Sequence, residues 1–213
     1  PRLAKKACKP TCATIYLSAT PSKADQIAIK KGALKCCLIP ARYHLYSLDI
    51  PKFQWAGNLE KALKKGRLPK AVLRWMRKKL ATNRRALLFV PTIEAGHFLQ
   101  QVLKKLLKLE VAFVYSNNEE RISKVKAFKE GEGQFLITTM ILERGVTIAD
   151  IDVAIFCAEH EVYEESALVQ ISGRVGRNPK YPHGEIIFFH YGITEAMDAA
   201  REQIKRMNQS AWK

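Results

Sequence analysis

Continuous apolar runs of strand length alternate along most of this chain with stretches whose apolar residues recur every three or four positions. Ala86-Leu87-Leu88-Phe89-Val90 is a run of the first kind, and Leu99, Val102, Leu103, Leu106 and Leu107 form a helical face after it. The alternation continues with a strand at Val111–Tyr115, a helix marked by Ile122, Val125 and Phe128, and strands at Phe135–Thr138 and Val153–Cys157. A helix over 164–172, a strand at Glu185–Phe189 and a helix over 194–208 complete it. Upstream, Thr14–Leu17 and Cys36–Ile39 read as short strands, and Ser22 is placed to cap a helix over 23–31. Residues from Tyr43 to Gly57 carry a proline, a glycine and mixed polarity, which reads as an extended connector. A helix runs from about Pro69 to Ala81. Apolar strands alternating with amphipathic helices imply an α/β fold: a mainly parallel sheet with helices on both faces. Right-handed crossovers put the strand-end loops on one edge, where ligands usually bind.

Composition narrows this. With 47% hydrophobic residues in 213, disorder is excluded, and no apolar run approaches the ~20 residues of a membrane helix. The formal net charge of +16 is concentrated: Lys61 to Arg85 holds eleven basic residues and no acid. A polyanion partner follows from such density, with Arg74, Arg77 and Lys78 as candidate phosphate contacts; a solvated helix face is the alternative. Trp75 lies at helical spacing and reads as core. The five cysteines are irregularly spaced and odd in number, as reduced thiols are. Cys8 and Cys12 would need the adjacent Cys36 and Cys37 to complete a zinc site, a poor chelate, so no zinc is expected. The opening Pro1-Arg2-Leu3-Ala4-Lys5-Lys6 lacks a methionine and the apolar middle of a signal peptide, and reads as a cut point.

Four short motifs occur in order. They are Ser18-Ala19-Thr20, Phe89-Val90-Pro91-Thr92, the run Thr138–Val146 with two hydroxyls before Gly145, and Gln170-Ile171-Ser172-Gly173-Arg174-Val175-Gly176-Arg177. The chain resembles the superfamily 2 helicases and translocases, where these are motifs III, IV, V and VI. That resemblance implies a RecA-like second motor lobe and a bound ATP. Phosphoryl transfer is catalysed chiefly by positioning and charge neutralisation, and a guanidinium is a permanently charged, forked donor. Arg177 is therefore expected as the arginine finger on the γ-phosphate, Arg174 as its partner and Gln170 as a nucleotide sensor, with Gly173 allowing close approach. Gly145 is expected near the ribose, with Glu143 and Arg144 paired across the cleft. Thr147 stands where many helicases carry an acid. Thr138 and Thr139 are expected to hold a DNA phosphate, and so is Thr92, opening a helix. Ser18, Ala19 and Thr20 would couple ATP state to DNA grip.

Three further stretches resemble the late competence protein family ComFA: Thr138–Thr147; Ala41-Arg42-Tyr43-His44 with Trp55-Ala56-Gly57-Asn58; and Phe188–Thr194. This implies a cytoplasmic ATPase, peripheral at the inner face of the membrane, that draws single-stranded DNA into the cell with other DNA-uptake proteins. Replication-restart and branch-migration helicases share parts of the pattern, and a motor-less nucleic-acid-binding module is the reading from a different class. None of the eleven glycines precedes a lysine and no aspartate precedes a glutamate. The phosphate cradle and the Mg2+ ligands are thus expected on the first lobe, of which residues 1–40 would be a remnant, followed by a connector (41–68) and the RecA-like domain (69–213). Alone, the chain is expected to hydrolyse no ATP with or without DNA, which turnover above that of an Arg177→Ala control would contradict.

Overall fold

Strands supply a buried layer here because the apolar runs alternate their side chains across it. The computed structural model describes residues 13–18, 21–140 and 148–211. Two units divide at Cys36/Cys37. In the first, helix α1 (Lys23–Lys30) starts at Ser22, whose hydroxyl accepts from the Asp25 amide while the Asp25 carboxylate accepts from the Ser22 amide. Thr14–Leu17, expected as a strand, has no regular structure and is exposed. Among the described residues, Ile15 and Leu17 are apolar yet exposed and pair with no strand.

The second unit contains β1 (Lys52–Trp55), α2 (Leu59–Lys64), α3 (Lys70–Ala81), β2 (Arg85–Phe89), α4 (Ile93–Leu107), β3 (Ala112–Val114), α5 (Arg121–Glu130), β4 (Phe135–Thr138), β5 (Ile151–Ile155), α6 (Glu165–Ser172), β6 (Ile186–His190) and α7 (Glu195–Ala211). Cys36–Ile39 is another expected strand that is absent; Leu38 and Ile39 lie exposed. Conversely, Lys52–Trp55 lies inside the expected connector yet pairs with β6 in parallel register, Phe53 opposite Phe188. The sheet has the order β1-β6-β5-β2-β4-β3, and every pairing in it is parallel. This is the expected sheet with helices on both faces.

The two faces separate cleanly along β2. Ala86 and Leu88, with Val90 just beyond the strand, face a core with Leu59, Leu63, Val72, Met76, Leu99 and Leu103 of α2, α3 and α4. Leu87 and Phe89 face a second core with Phe128, Leu168, Ile171, Met197 and Ala200 of α5, α6 and α7. Gly96 lets α4 approach β3 closely, since a Cβ there would run into the Phe113 ring.

At the strand-start edge the two cores share a buried ionic centre. Asp152 of β5 accepts from Lys79 Nζ at 2.6 Å, from Arg84 Nη2 at 2.9 Å and from the Glu185 amide at 2.8 Å. Lys79 also reaches Glu185 at 2.7 Å, which accepts from Trp75 Nε1 at 2.9 Å and Lys52 at 3.1 Å. Burial opposes ionisation of both carboxylates, but these hydrogen bonds outweigh it: the Asp152 pKa is lowered, and that of Glu185 falls to about 2. Asp152→Ala removes the buried acceptor shared by Lys79, Arg84 and the Glu185 amide, leaving Lys79 to Glu185 and Arg84 to Asp150, and is expected to cost about 3–5 kcal/mol, read as a lower melting temperature. Because the folded pKa values are depressed, the stabilisation is complete above the ordinary carboxylate range and is lost as pH falls towards about 2. Asp152→Asn should therefore flatten the acid limb of a melting-temperature profile.

Candidate functional site

In a parallel sheet, every strand end lies on one edge and every strand start on the other, and the expected site residues divide between them. At the strand-end edge, Thr92 follows β2 and caps α4, its hydroxyl accepting from the Ala95 amide at 3.1 Å. Phe89 sits opposite Thr138 in the β2–β4 register, so Thr139, half-buried, belongs to the same edge. Thr138 itself is fully buried and its hydroxyl donates to the Thr139 carbonyl at 2.9 Å. Of the two threonines, Thr139 is the one with access to a ligand.

The arginine turn lies at the opposite edge. Helix α6 leaves the end of β5 and runs back along the sheet, delivering Gly173–Arg177 beside the start of the same strand. The packing shows it: a Cβ on Gly184 would meet Val175 Cγ1 at 2.7 Å, the Ile151 carbonyl at 2.8 Å and Asp152 Oδ1 at 2.9 Å. Gly176 has φ +69°, and a Cβ there would run into the Pro182 carbonyl, so the turn admits glycine alone. Arg174 is buried at 2% exposure, while Arg177 and Gln170 are half-buried. Arg177 Nε donates to the Gly173 carbonyl at 3.1 Å. Burial lowers its pKa from the usual arginine range, and it remains a cation at neutral pH.

Residues 42–49 strap this turn, a feature that the connector reading missed. Arg42 donates through Nη1 to the Gly176 carbonyl at 2.6 Å and through Nη2 to the Gly173 carbonyl at 3.2 Å. His44 Nε2 lies 3.1 Å from the same Gly176 oxygen, and its Nδ1 accepts from the Tyr46 amide at 3.2 Å, which places the ring proton on Nε2. Asp49 accepts from the Gly184 amide at 3.1 Å. Arg42 has a lowered pKa, chiefly from burial, with Asp49 opposing and the neighbouring Arg177 adding to the shift.

The basic run also divides. Lys79 and Arg84 belong to the Asp152 centre. Arg74, Arg77 and Lys78 are exposed on α3, whose last turn lies at the strand-start edge, away from Thr92 and Thr139. Lys61, Lys64 and Lys65 belong to α2 and its cap, and Lys64 feels Glu94 in the first turn of α4, so this part of the run lies near Thr92. Ser18 is exposed. Ala19, Thr20, Glu143, Arg144 and Gly145 lie outside the described residues, as do Cys8 and Cys12. Among the described residues no helix is long and apolar enough to cross a membrane.

Arg177 is held by a carbonyl rather than a carboxylate and keeps its charge at a half-open position, an arrangement that can take an anion. The helicase conserved C-terminal domain matches residues 65–179. The chain is 40% identical over 209 residues to Competence protein ComFA of Bacillus subtilis, covering 98% of this chain and 45% of that protein. It is 36% identical to Competence protein ComFA of Streptococcus pneumoniae, covering 92% and 46%. The chain thus spans about half the length of these curated relatives. UvrABC system protein B of Mycoplasma genitalium is 30% identical over 58% of this chain and 19% of its own length. The fold matches Saccharomyces cerevisiae Dbp5 bound to RNA and ADP BeF3 with a TM-score of 0.60, at 18% identity, over 96% of this chain and 51% of that one.

Proposed function

The chain belongs to the helicase conserved C-terminal domain family, and from that premise we propose that it is the second motor lobe of an ATP-dependent single-stranded-DNA translocase. The task proposed for that motor is DNA uptake in natural transformation. The observation that carries the reading is the glycine-arginine turn at the strand-start edge, set in a chain similar over most of its length to ComFA of two bacteria.

In this reading ATP and Mg2+ bind chiefly to a first lobe, which supplies the P-loop and acidic pair that this chain lacks. Arg177 faces the shared cleft and neutralises charge building on the γ-phosphoryl oxygens. Arg174 supports it from inside the turn, and Gln170, one turn back on α6, senses the nucleotide. Gly145, Glu143 and Arg144 approach the same nucleotide. Thr92 and Thr139 hold the DNA backbone at the opposite edge, through a hydroxyl and through the free amides at the start of α4. The partners proposed for the complete protein are single-stranded DNA, its own first lobe and other uptake proteins, at the cytoplasmic face of the membrane.

In the complete protein, Arg177→Ala is expected to lower DNA-stimulated ATP hydrolysis by roughly 10³-fold or more while nucleotide affinity falls far less. Undiminished turnover would remove the finger assignment. For DNA, the salt dependence of single-strand binding locates the track. Reversing Lys61 and Lys65 to Glu should reduce the log–log slope by about 0.7 for each phosphate no longer neutralised. Reversing Arg74, Arg77 and Lys78 should reduce it less; a larger effect there would place the track across the strand-start edge.

A further inference from the structure

Nothing in the roles above uses Arg42, yet its guanidinium grips the backbone of the arginine turn directly. The fork spans two carbonyls three residues apart, Gly176 at 2.6 Å and Gly173 at 3.2 Å. Gly173 is the residue after the last turn of α6, where helix carbonyls lack intrahelical donors. Its oxygen has two cationic donors, Arg42 Nη2 at 3.2 Å and Arg177 Nε at 3.1 Å. The strap that carries Arg42 is fixed at its far end: the Leu48 amide donates to Asn208 Oδ1 at 2.8 Å, and Asn208 Nδ2 donates to the Leu48 carbonyl at 2.9 Å. Gly176 leaves room for the fork, since a Cβ there would lie 2.8 Å from Arg42 Nη1.

We propose that Arg42 is a positioning residue for the arginine finger, holding the Gly173–Gly176 turn and keeping the Gly173 carbonyl hydrogen-bonded when Arg177 swings out to a phosphate. The inference rests on the reading of Arg177 as the finger. Its physical basis is the doubly served oxygen. If Arg177 were the sole donor, its departure would strand the Gly173 carbonyl in a half-buried turn, and the resting hydrogen bond would compete with the phosphate. With Arg42 in place the oxygen stays satisfied and the two cations are relieved of their mutual repulsion, so the release costs little. His44, donating from Nε2 to the Gly176 oxygen, steadies the other end of the fork. A lysine cannot substitute, because a single ammonium does not span both carbonyls in a fixed plane.

The test is DNA-stimulated ATP hydrolysis by the complete protein, with Arg42→Ala, Arg42→Lys and Arg177→Ala compared with wild type at saturating single-stranded DNA. Arg42→Ala and Arg42→Lys are both expected to lower kcat by about tenfold, with KM for ATP changed less than about threefold. Thermal melting run on each variant separates this from unfolding; if Arg42→Ala does not fold, Arg42→Lys carries the test. Wild-type kcat in Arg42→Lys, or an equal loss of kcat and gain in KM, would overturn the positioning role while the finger stands on the Arg177→Ala result. Retention of turnover by Arg177→Ala would overturn the finger and this inference with it.

Discussion

A carboxylate buried at the mouth of a parallel sheet must be answered by donors from every side, and Asp152 is that carboxylate. At 1% exposure it takes a hydrogen bond or ion pair from α3, from the approach to β2 and from the approach to β6. Taking ions out of water costs several kcal/mol each, so partial satisfaction would be worse than an apolar core. The centre therefore constrains the relative placement of the elements that reach it. The turn with the paired arginines packs directly beside it, and a Cβ on Gly184 would run into both Val175 Cγ1 and Asp152 Oδ1. Register at the strand-start edge and geometry of the arginine turn are one constraint.

The same topology separates the Thr139 edge from the arginine turn by the length of the strands. Four or five residues at about 3.3 Å each put the edges roughly 13–17 Å apart. Thr139 stands at one edge and Ile151 begins β5 at the other.

Legibility in the sequence followed locality. Every strand from Arg85 onward was visible as a short, mostly apolar run, though β5 begins at Ile151, two residues before the expected Val153, and contains Asp152. The edge strand β1 was not: Lys52-Phe53-Gln54-Trp55 is mostly exposed, flanked by Pro51 and Gly57, and is a strand only because β6 lies beside it. Thr14–Leu17 and Cys36–Ile39 failed the other way, being apolar without a partner. The arginine turn was legible from its glycines and spacing. That Lys79 and Arg84 are structural while Arg74 is solvated was not, since the discriminating residue is Asp152, some seventy positions downstream. Burial of Thr138 beside an accessible Thr139 likewise depends on the neighbours of β4, not on the dipeptide.

The arginines of this turn are held by different partners from those of the Asp152 centre. Had Arg177 and Arg42 been held by carboxylates, as Lys79 and Arg84 are, their charge would be neutralised on the spot and a phosphate would have to displace an anion to bind. Backbone carbonyls orient a guanidinium while leaving its net charge in place. Asp49, the acid nearest Arg42 in effect, spends hydrogen bonds on the Gly184 amide and His183. Burial lowers the pKa of both arginines, and a guanidinium stays a cation at neutral pH. Two ionic arrangements thus stand side by side at one edge of the sheet: a closed one of paired charges around Asp152, and one whose cations are held by backbone carbonyls.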